Sequence, residues 1–286
     1  MNDPVRIAAI IDAERKANRH GSLTYLSWVS VEHKFLYMSI PKNACTTVKM
    51  VLNRLEGRPD PESVGKIHGP QVARHLADFS TAEIVEIIQS PEWFKFCFVR
   101  NPYDRIFSAY KSKIGTWGEE YGWLQNDIRK EYGYPLPEDT APYKSIVAFR
   151  DFVRYVQHFG AERRDGEGRE VRHESHWNVQ TDVLIPAAIK YDFVGRFERF
   201  VEDFQQVLSR LRAPSEIVAQ AEEIYNPTMH MHHAYVYDRE LADGVFEMYR
   251  SDFEQYGYER DSWMFDANSP YLGQKGNPLW SPKMVS

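Results

Sequence analysis

Ser39-Ile40-Pro41-Lys42-Asn43-Ala44-Cys45-Thr46-Thr47-Val48-Lys49 reads as a strand end, a polar turn and a helix start. Phe96-Cys97-Phe98-Val99-Arg100-Asn101-Pro102-Tyr103-Asp104-Arg105-Ile106-Phe107-Ser108-Ala109-Tyr110 repeats that order about fifty residues later. Ahead of the first turn, residues 34–40 are rich in Phe, Leu, Tyr and Ile, as a buried strand is, and Pro41 ends the run. After it, Val48, Val51, Leu52 and Leu55 share one face of a helix predicted over 46–56. Residues 93–99 predict a second buried strand and 103–113 a second helix. A helix N-terminus carries partial positive charge and unpaired N–H groups, which suit phosphate or sulfate. Two such turns, each with cationic and hydroxyl side chains, predict a ligand that is anionic at both ends.

Outward from these segments, Asp3-Pro4 starts a helix predicted to run to about Asn18, with proline at its first position. Ser80-Thr81-Ala82-Glu83 is a capping box before Ile84, Ile87 and Ile88. Residues 115–143, rich in Gly, Pro, Trp and Tyr, predict a long irregular loop of the kind that forms lids and binding surfaces. Helix is expected again over 144–159, and a polar loop over 160–176. Tyr191–Val194 is a short third strand before Gly195. Phe197, Phe200, Val201, Phe204, Val207, Leu208 and Leu211 line one helical face. Ser215 starts a further helix, and Asp238 caps one that continues through Leu241, Val245, Met248, Tyr249 and Phe253 to near Gly257. Strands alternating with helices predict a mostly parallel sheet covered on both faces, with ligands at the carboxyl ends of its strands. Both turns fall there. No internal repeat or low-complexity tract is present.

Composition narrows the class. The chain has 286 residues, 27% charged and 43% hydrophobic, as in an ordinary globular protein. A net charge of −6 argues against broad nucleic-acid binding. Two cysteines, Cys45 and Cys97, cannot build a disulfide framework and suit a reducing compartment. Both read as small packing residues. No apolar run is long enough to span a membrane, and the first residues lack a signal-peptide core. The expectation is a soluble, cytoplasmic protein.

The first turn lacks the glycines of GxxxxGK[ST], so it is not a Walker A loop. Lys42 sits in the turn itself, and Thr46 and Thr47 open the helix. Backbone N–H groups with the two hydroxyls suit a 5′-phosphate. The bland alternative is a solvated lysine beside a threonine cap. Arg100 offers a planar fork for phosphate oxygens, or else pairs with Asp104 at the helix start. His230, His232 and His233 cluster, but without cysteine or clustered aspartate they make a weak metal signature, and no metal is expected. Trp117, Tyr121, Trp123 and Tyr134 would either stack on sugar rings or an aromatic acceptor, or staple the long loop.

Taken together, these motifs resemble the two nucleotide-binding elements of sulfotransferases that use 3′-phosphoadenosine-5′-phosphosulfate (PAPS). The likeness is to the carbohydrate group, with patterns near PKxxCT-xxK and FVRxPxxRxxSAY, especially the HNK-1, chondroitin and dermatan enzymes and their soluble bacterial-type relatives. It extends from about Phe35 to Tyr258. His176-Trp177-Asn178-Val179-Gln180 looks like the HWxxQ element, and Tyr191-Asp192-Phe193-Val194-Gly195-Arg196-Phe197-Glu198 like YDFVGxxE. The stretch 249–258 is similar to YxxDFxxFGY.

The resemblance implies an α/β fold, a single P-loop-like three-layer domain with a mostly parallel central sheet flanked by helices. That domain would cover 1–260, with its core at about 34–258, followed by an arm or tail over 261–286. It implies PAPS as sulfuryl donor, PAP (adenosine 3′,5′-bisphosphate) as product, and a hydroxyl of a carbohydrate or glycolipid as acceptor. By resemblance, Pro41, Lys42, Asn43, Ala44, Cys45, Thr46 and Thr47 form the 5′-phosphosulfate site, and Arg100 and Ser108 the 3′-phosphate site. Lys42 would stabilise charge on the leaving bridging oxygen. The acceptor proton needs a base. His68, in a His-Gly element between the two motifs, is favoured by resemblance, with Glu62 and His176 as competitors. Residues 115–143 carry no motif of this resemblance, so acceptor identity does not carry over. A non-catalytic PAP- or glycan-binding module stays open, as does a homo-oligomer. An ATP-dependent kinase is a further alternative, one that lacks its glycine loop here.

Overall fold

The computed structural model describes residues 3–17, 21–69, 71–114, 122–135, 146–159, 175–223 and 233–264. These fall into two compact units. One runs up to Arg100 and resumes at Gln180; the other runs from Asn101 to Val179 and takes up the later residues 233–264.

The first unit holds the sheet, in strand order β1-β2-β3-β4. Strand β1 (Ser27–Ser30) pairs antiparallel with β2 (Phe35–Met38) across a tight turn in which Lys34 has φ 51°. Strands β2 and β3 (Phe94–Val99) are parallel, as are β3 and β4 (Phe193–Arg196). The expected mostly parallel sheet is therefore present. The antiparallel β1 was not read from the sequence, because four residues, Ser-Trp-Val-Ser, carry no alternation long enough to count. Strand β4 lies two residues later than expected and runs through Gly195.

Helix α1 (Pro4–Ala17) starts where Asp3 accepts a bond from the Val5 N–H. Helix α2 (Cys45–Leu55) follows β2, and α3 (Thr81–Gln89) begins at the predicted capping box, with Ser80 accepting from the Glu83 N–H. Gln180–Leu184 (α7), Phe200–Arg210 (α8) and the short Ser215–Val218 (α9) complete the unit. Phe197–Arg199 forms a 3₁₀ turn, so the predicted amphipathic helix starts three residues late.

Period-two geometry sends alternate strand residues to opposite faces. Phe35, Tyr37, Phe96 and Phe98 pack with Val48, Val51 and Leu52 of α2 and with Phe200, Phe204 and Val207 of α8. Leu36, Met38, Cys97 and Val99 point the other way and are equally buried, so both faces of β2 and β3 are covered. Residues of this kind, buried on both sides, produce the continuous apolar runs seen in the sequence.

The second unit is helical. Helix α4 (Pro102–Lys113) is capped by Asn101, whose side chain accepts from the Tyr103 N–H at 3.0 Å. Helix α5 (Gly122–Tyr132) lies inside the stretch expected to be irregular, burying Leu124 and Ile128 one turn apart. Helix α6 is Phe149–Phe159, later than its expected start. The helix predicted from Asp238 to Gly257 is two: α10 (Arg239–Met248) and α11 (Arg250–Tyr256). Tyr249 breaks it, leaving helical geometry at ψ 22° while its hydroxyl donates to the Trp177 carbonyl at 2.5 Å. Gly257, at φ 63°, closes α11 in the left-handed conformation that glycine adopts without strain. Tyr103, Phe107, Phe149, Tyr237 and Phe253 form the aromatic centre of this unit.

Trp117, Tyr121, His230, His232 and the tail beyond 264 lie outside the described residues. Among the described residues, no helix is long and apolar enough to cross a membrane.

Candidate functional site

Parallel strands β2 and β3 are neighbours, so the turns that follow them lie side by side at one end of the sheet. In the first turn, Lys42 has φ 74° and Ala44 φ 58°. Neither is glycine, and a side chain held in this region costs energy that the surroundings must compensate. The anchor lies between them. Asn43 is fully buried, and its Nδ2 donates to the Phe98 carbonyl and to Gln180 Oε1, both at 2.8 Å. Asn43 thus builds the loop from within.

The two motif helices differ at their starts. Ala44 is the N-cap of α2 and has no side chain to cap it, whereas Asn101 caps α4. The first-turn N–H groups of an eleven-residue helix therefore receive no acceptor from their cap residue. Thr46 and Thr47 are buried in that turn, Lys42 is half-buried, and Cys45 opens the helix. Of these two helix starts, the first lacks a capping side chain and the second has one.

Arg100 directly follows β3. Its Nη1 donates to the Lys42 carbonyl at 2.8 Å, and its guanidinium lies 3.8 Å from the centre of the Phe197 ring. The β3–β4 register pairs Val99 with Arg196 and so brings the next two residues together. Arg100 and the first turn are thus in contact. Asp104 is 3.4 Å from His233 Nδ1. Ser108 is buried on α4 in the second unit.

His68 ends a 3₁₀ turn, Val64–His68, that packs against α2. Its Nε2 is 3.1 Å from Thr46 Oγ1. The residue favoured as base and a threonine of the first turn therefore meet. Glu62 is highly exposed and ion-paired with Lys66. His176 lies in the second unit beside Trp177.

Residues 26–259 match the family model described as the sulfotransferase family. This chain belongs to the sulfotransferase family. It is 32% identical over 235 residues to human carbohydrate sulfotransferase 14, covering 80% of this chain and 59% of that protein. To human carbohydrate sulfotransferase 9 it is 29% identical over 194 residues, 66% of this chain and 42% of the other. To Xenopus laevis carbohydrate sulfotransferase 10 it is 25% identical over 251 residues, 83% and 68% respectively. The chain spans about three fifths of the length of carbohydrate sulfotransferase 14 from human, zebrafish and mouse. No solved structure matches it.

Several residues that build the two units carried no local signal of their contacts. Gln180, in the HWxxQ element, is the partner of Asn43 and also bonds Arg100 through its backbone. Phe197 supports the Arg100 guanidinium. Arg105, the second arginine of the second motif, is 1% exposed and donates to the carbonyls of Asn178 and Ser175 at 2.6 and 2.9 Å. It therefore serves the interior of the second unit. Tyr134 ties its segment to the start of α6: its hydroxyl donates to Asp151 at 2.5 Å and accepts from the Ala148 N–H. His233 also contacts the Ser262 carbonyl at 3.1 Å. Burial pushes the Cys97 thiol far up, in keeping with a packing role.

Proposed function

We propose that this chain transfers a sulfuryl group from PAPS to a hydroxyl of a carbohydrate or glycolipid, releasing PAP. The observation that carries this reading is the turn 41–47. It opens α2 without a capping side chain, holds Lys42 and Ala44 at positive φ, and touches both Arg100 and His68. Family membership and the carbohydrate acceptors named for its relatives support it.

The donor set fits a phosphosulfate: backbone N–H groups at a helix N-terminus, two threonines and a lysine, with no carboxylate in the turn. In this reading the turn is P-loop-like, with left-handed Lys42 and Ala44 in place of glycines. When bound, PAPS supplies the activated sulfuryl group. Thr46, Thr47 and the α2 N–H groups hold its 5′-phosphate, while Lys42 neutralises charge on the bridging oxygen as the bond to sulfur breaks. Arg100, whose planar guanidinium fork matches phosphate oxygens, takes the 3′-phosphate. His68 removes the acceptor proton, and the contact with Thr46 orients its ring. We place the protein in the cytoplasm because both cysteines are free thiols.

The division of labour is testable. Lys42→Ala is expected to lower turnover and weaken PAP binding together. His68→Ala is expected to lower turnover by roughly 10²–10⁴-fold, the range of general-base catalysis, with PAP affinity near wild type. Calorimetry and steady-state kinetics on both variants decide it. Normal turnover in folded His68→Ala would move the base to His176 or Glu62. Tight PAP binding with no transfer to any of a broad acceptor panel would leave a binding module.

A further inference from the structure

We infer that Gln180 is a positioning residue for the donor turn, and that its side-chain amide sets the affinity for PAPS and PAP. The inference rests on reading turn 41–47 as the donor site.

Strand β3 ends at Val99, and just past it Gln180 bonds both backbone groups of Arg100. Its Oε1 accepts from the Arg100 N–H at 3.0 Å, and its Nε2 donates to the Arg100 carbonyl at 2.9 Å. One side chain thereby extends the ladder by a residue. The same Oε1 accepts from Asn43 Nδ2 at 2.8 Å. Gln180 and Asn43 are both 0% exposed, so these bonds form away from water, where an unmade bond costs most.

The mechanical consequence follows from Asn43. Lys42 and Ala44, on either side of it, are held at positive φ. Strained backbone persists only while its surroundings over-determine it. Asn43 has two side-chain anchors, the Phe98 carbonyl and Gln180, and its Oδ1 is buried with no partner. A buried amide left short of one bond has little stability in reserve. Removing Gln180 takes away one of the two anchors and, at the same time, two bonds to the Arg100 backbone. The turn then relaxes toward ordinary φ values, and the N–H groups and Lys42 lose their common aim. Gln180 touches neither donor nor acceptor chemistry in this account; it acts through Asn43 and Arg100.

The test uses Gln180→Met, which keeps length without hydrogen bonds, and Gln180→Glu, which keeps the two accepting bonds and loses the donated one. Loss of such buried bonds predicts PAP binding weaker by roughly tenfold or more for Gln180→Met, with Gln180→Glu between it and wild type. The KM for PAPS should rise while the KM for acceptor stays, and amide exchange should quicken across residues 42–47. Unchanged PAP affinity in folded Gln180→Met, with only a lower melting temperature, would overturn the inference and leave the donor site intact. Should Gln180→Met not fold, Gln180→Glu decides by the same readout: affinity equal to wild type overturns it, and a severalfold loss supports it. Wild-type protein that fails to bind PAP would overturn the donor-site reading, and the role of Gln180 with it.

Discussion

Lys49 shows how a residue's setting, more than its type, fixes its chemistry. It sits on α2 only 1% exposed, with Nζ donating to the Tyr25 carbonyl at 2.8 Å. Burial lowers its pKa from 10.5 to about 8, a shift partly opposed by Cys45. In the unfolded chain the lysine keeps its ordinary value, so between about 8 and 10.5 the unfolded state binds more protons. Stability from this group therefore rises with pH across that window, and below it the burial cost is constant and full. Buried Tyr37 and Tyr237, whose pKa values burial raises, oppose this near the top of the window. The comparison is therefore wild type against Lys49→Met. Their stability difference should shift in favour of wild type by up to about 1.4 kcal/mol per pH unit above pH 8, as urea midpoints would show. A difference that stays constant from pH 7 to 10 would refute the assignment. Lys49 was visible in the first motif, but its burial was not. A lysine one turn past two threonines looks the same in sequence whether it faces water or Tyr25.

At the scale of elements, β4 depends on a close approach that only glycine allows. A Cβ on Gly195 would lie 2.4 Å from Cε1 of Phe98. That ring cannot move aside, because Phe200 and Phe204 pack against it at 5.3 and 5.8 Å between centroids. Gly195→Ala is expected to cost roughly 1–3 kcal/mol, the usual penalty of overpacking. Denaturant unfolding measures it, and wild-type stability would show that the ring yields. The elements legible in the sequence were those with local signals: Pro4 at the start of α1, the Ser80–Glu83 capping box, the apolar runs of β2 and β3, and the phenylalanine stripe of α8. Those misread have non-local causes. Tyr249 breaks a periodic helix through its bond to the Trp177 carbonyl, 72 residues away. Helix α5 has too short an apolar period to stand out among glycines and aromatics, and packs against α6.

For the whole molecule, the chain leaves its first unit after Arg100 and returns at Gln180. The family match, over residues 26–259, takes in both units. Ligand binding offers a readout on the intact chain. PAP at 100 times its dissociation constant should stabilise the protein by about 2.7 kcal/mol, which raises the melting temperature by several degrees. AMP at the same concentration, lacking the 3′-phosphate that the proposed function assigns to Arg100, should give a much smaller shift. Equal shifts for PAP and AMP would refute the 3′-phosphate assignment while leaving the first turn as a phosphate site.

Sequence alone determined where strands give way to helices, which turns carry Lys42, Thr46, Thr47 and Arg100, and which family the motifs resemble. Each of these rests on short-range physics: side-chain periodicity, proline and capping chemistry, and residue order within a turn. Tertiary structure decided what holds those turns in shape. Asn43 and Gln180 are 137 residues apart, and Arg100 and Gln180 are 80 apart. Their bonds exist because parallel strand register and burial bring them together, and no local preference of a glutamine announces that its amide will close a sheet ladder.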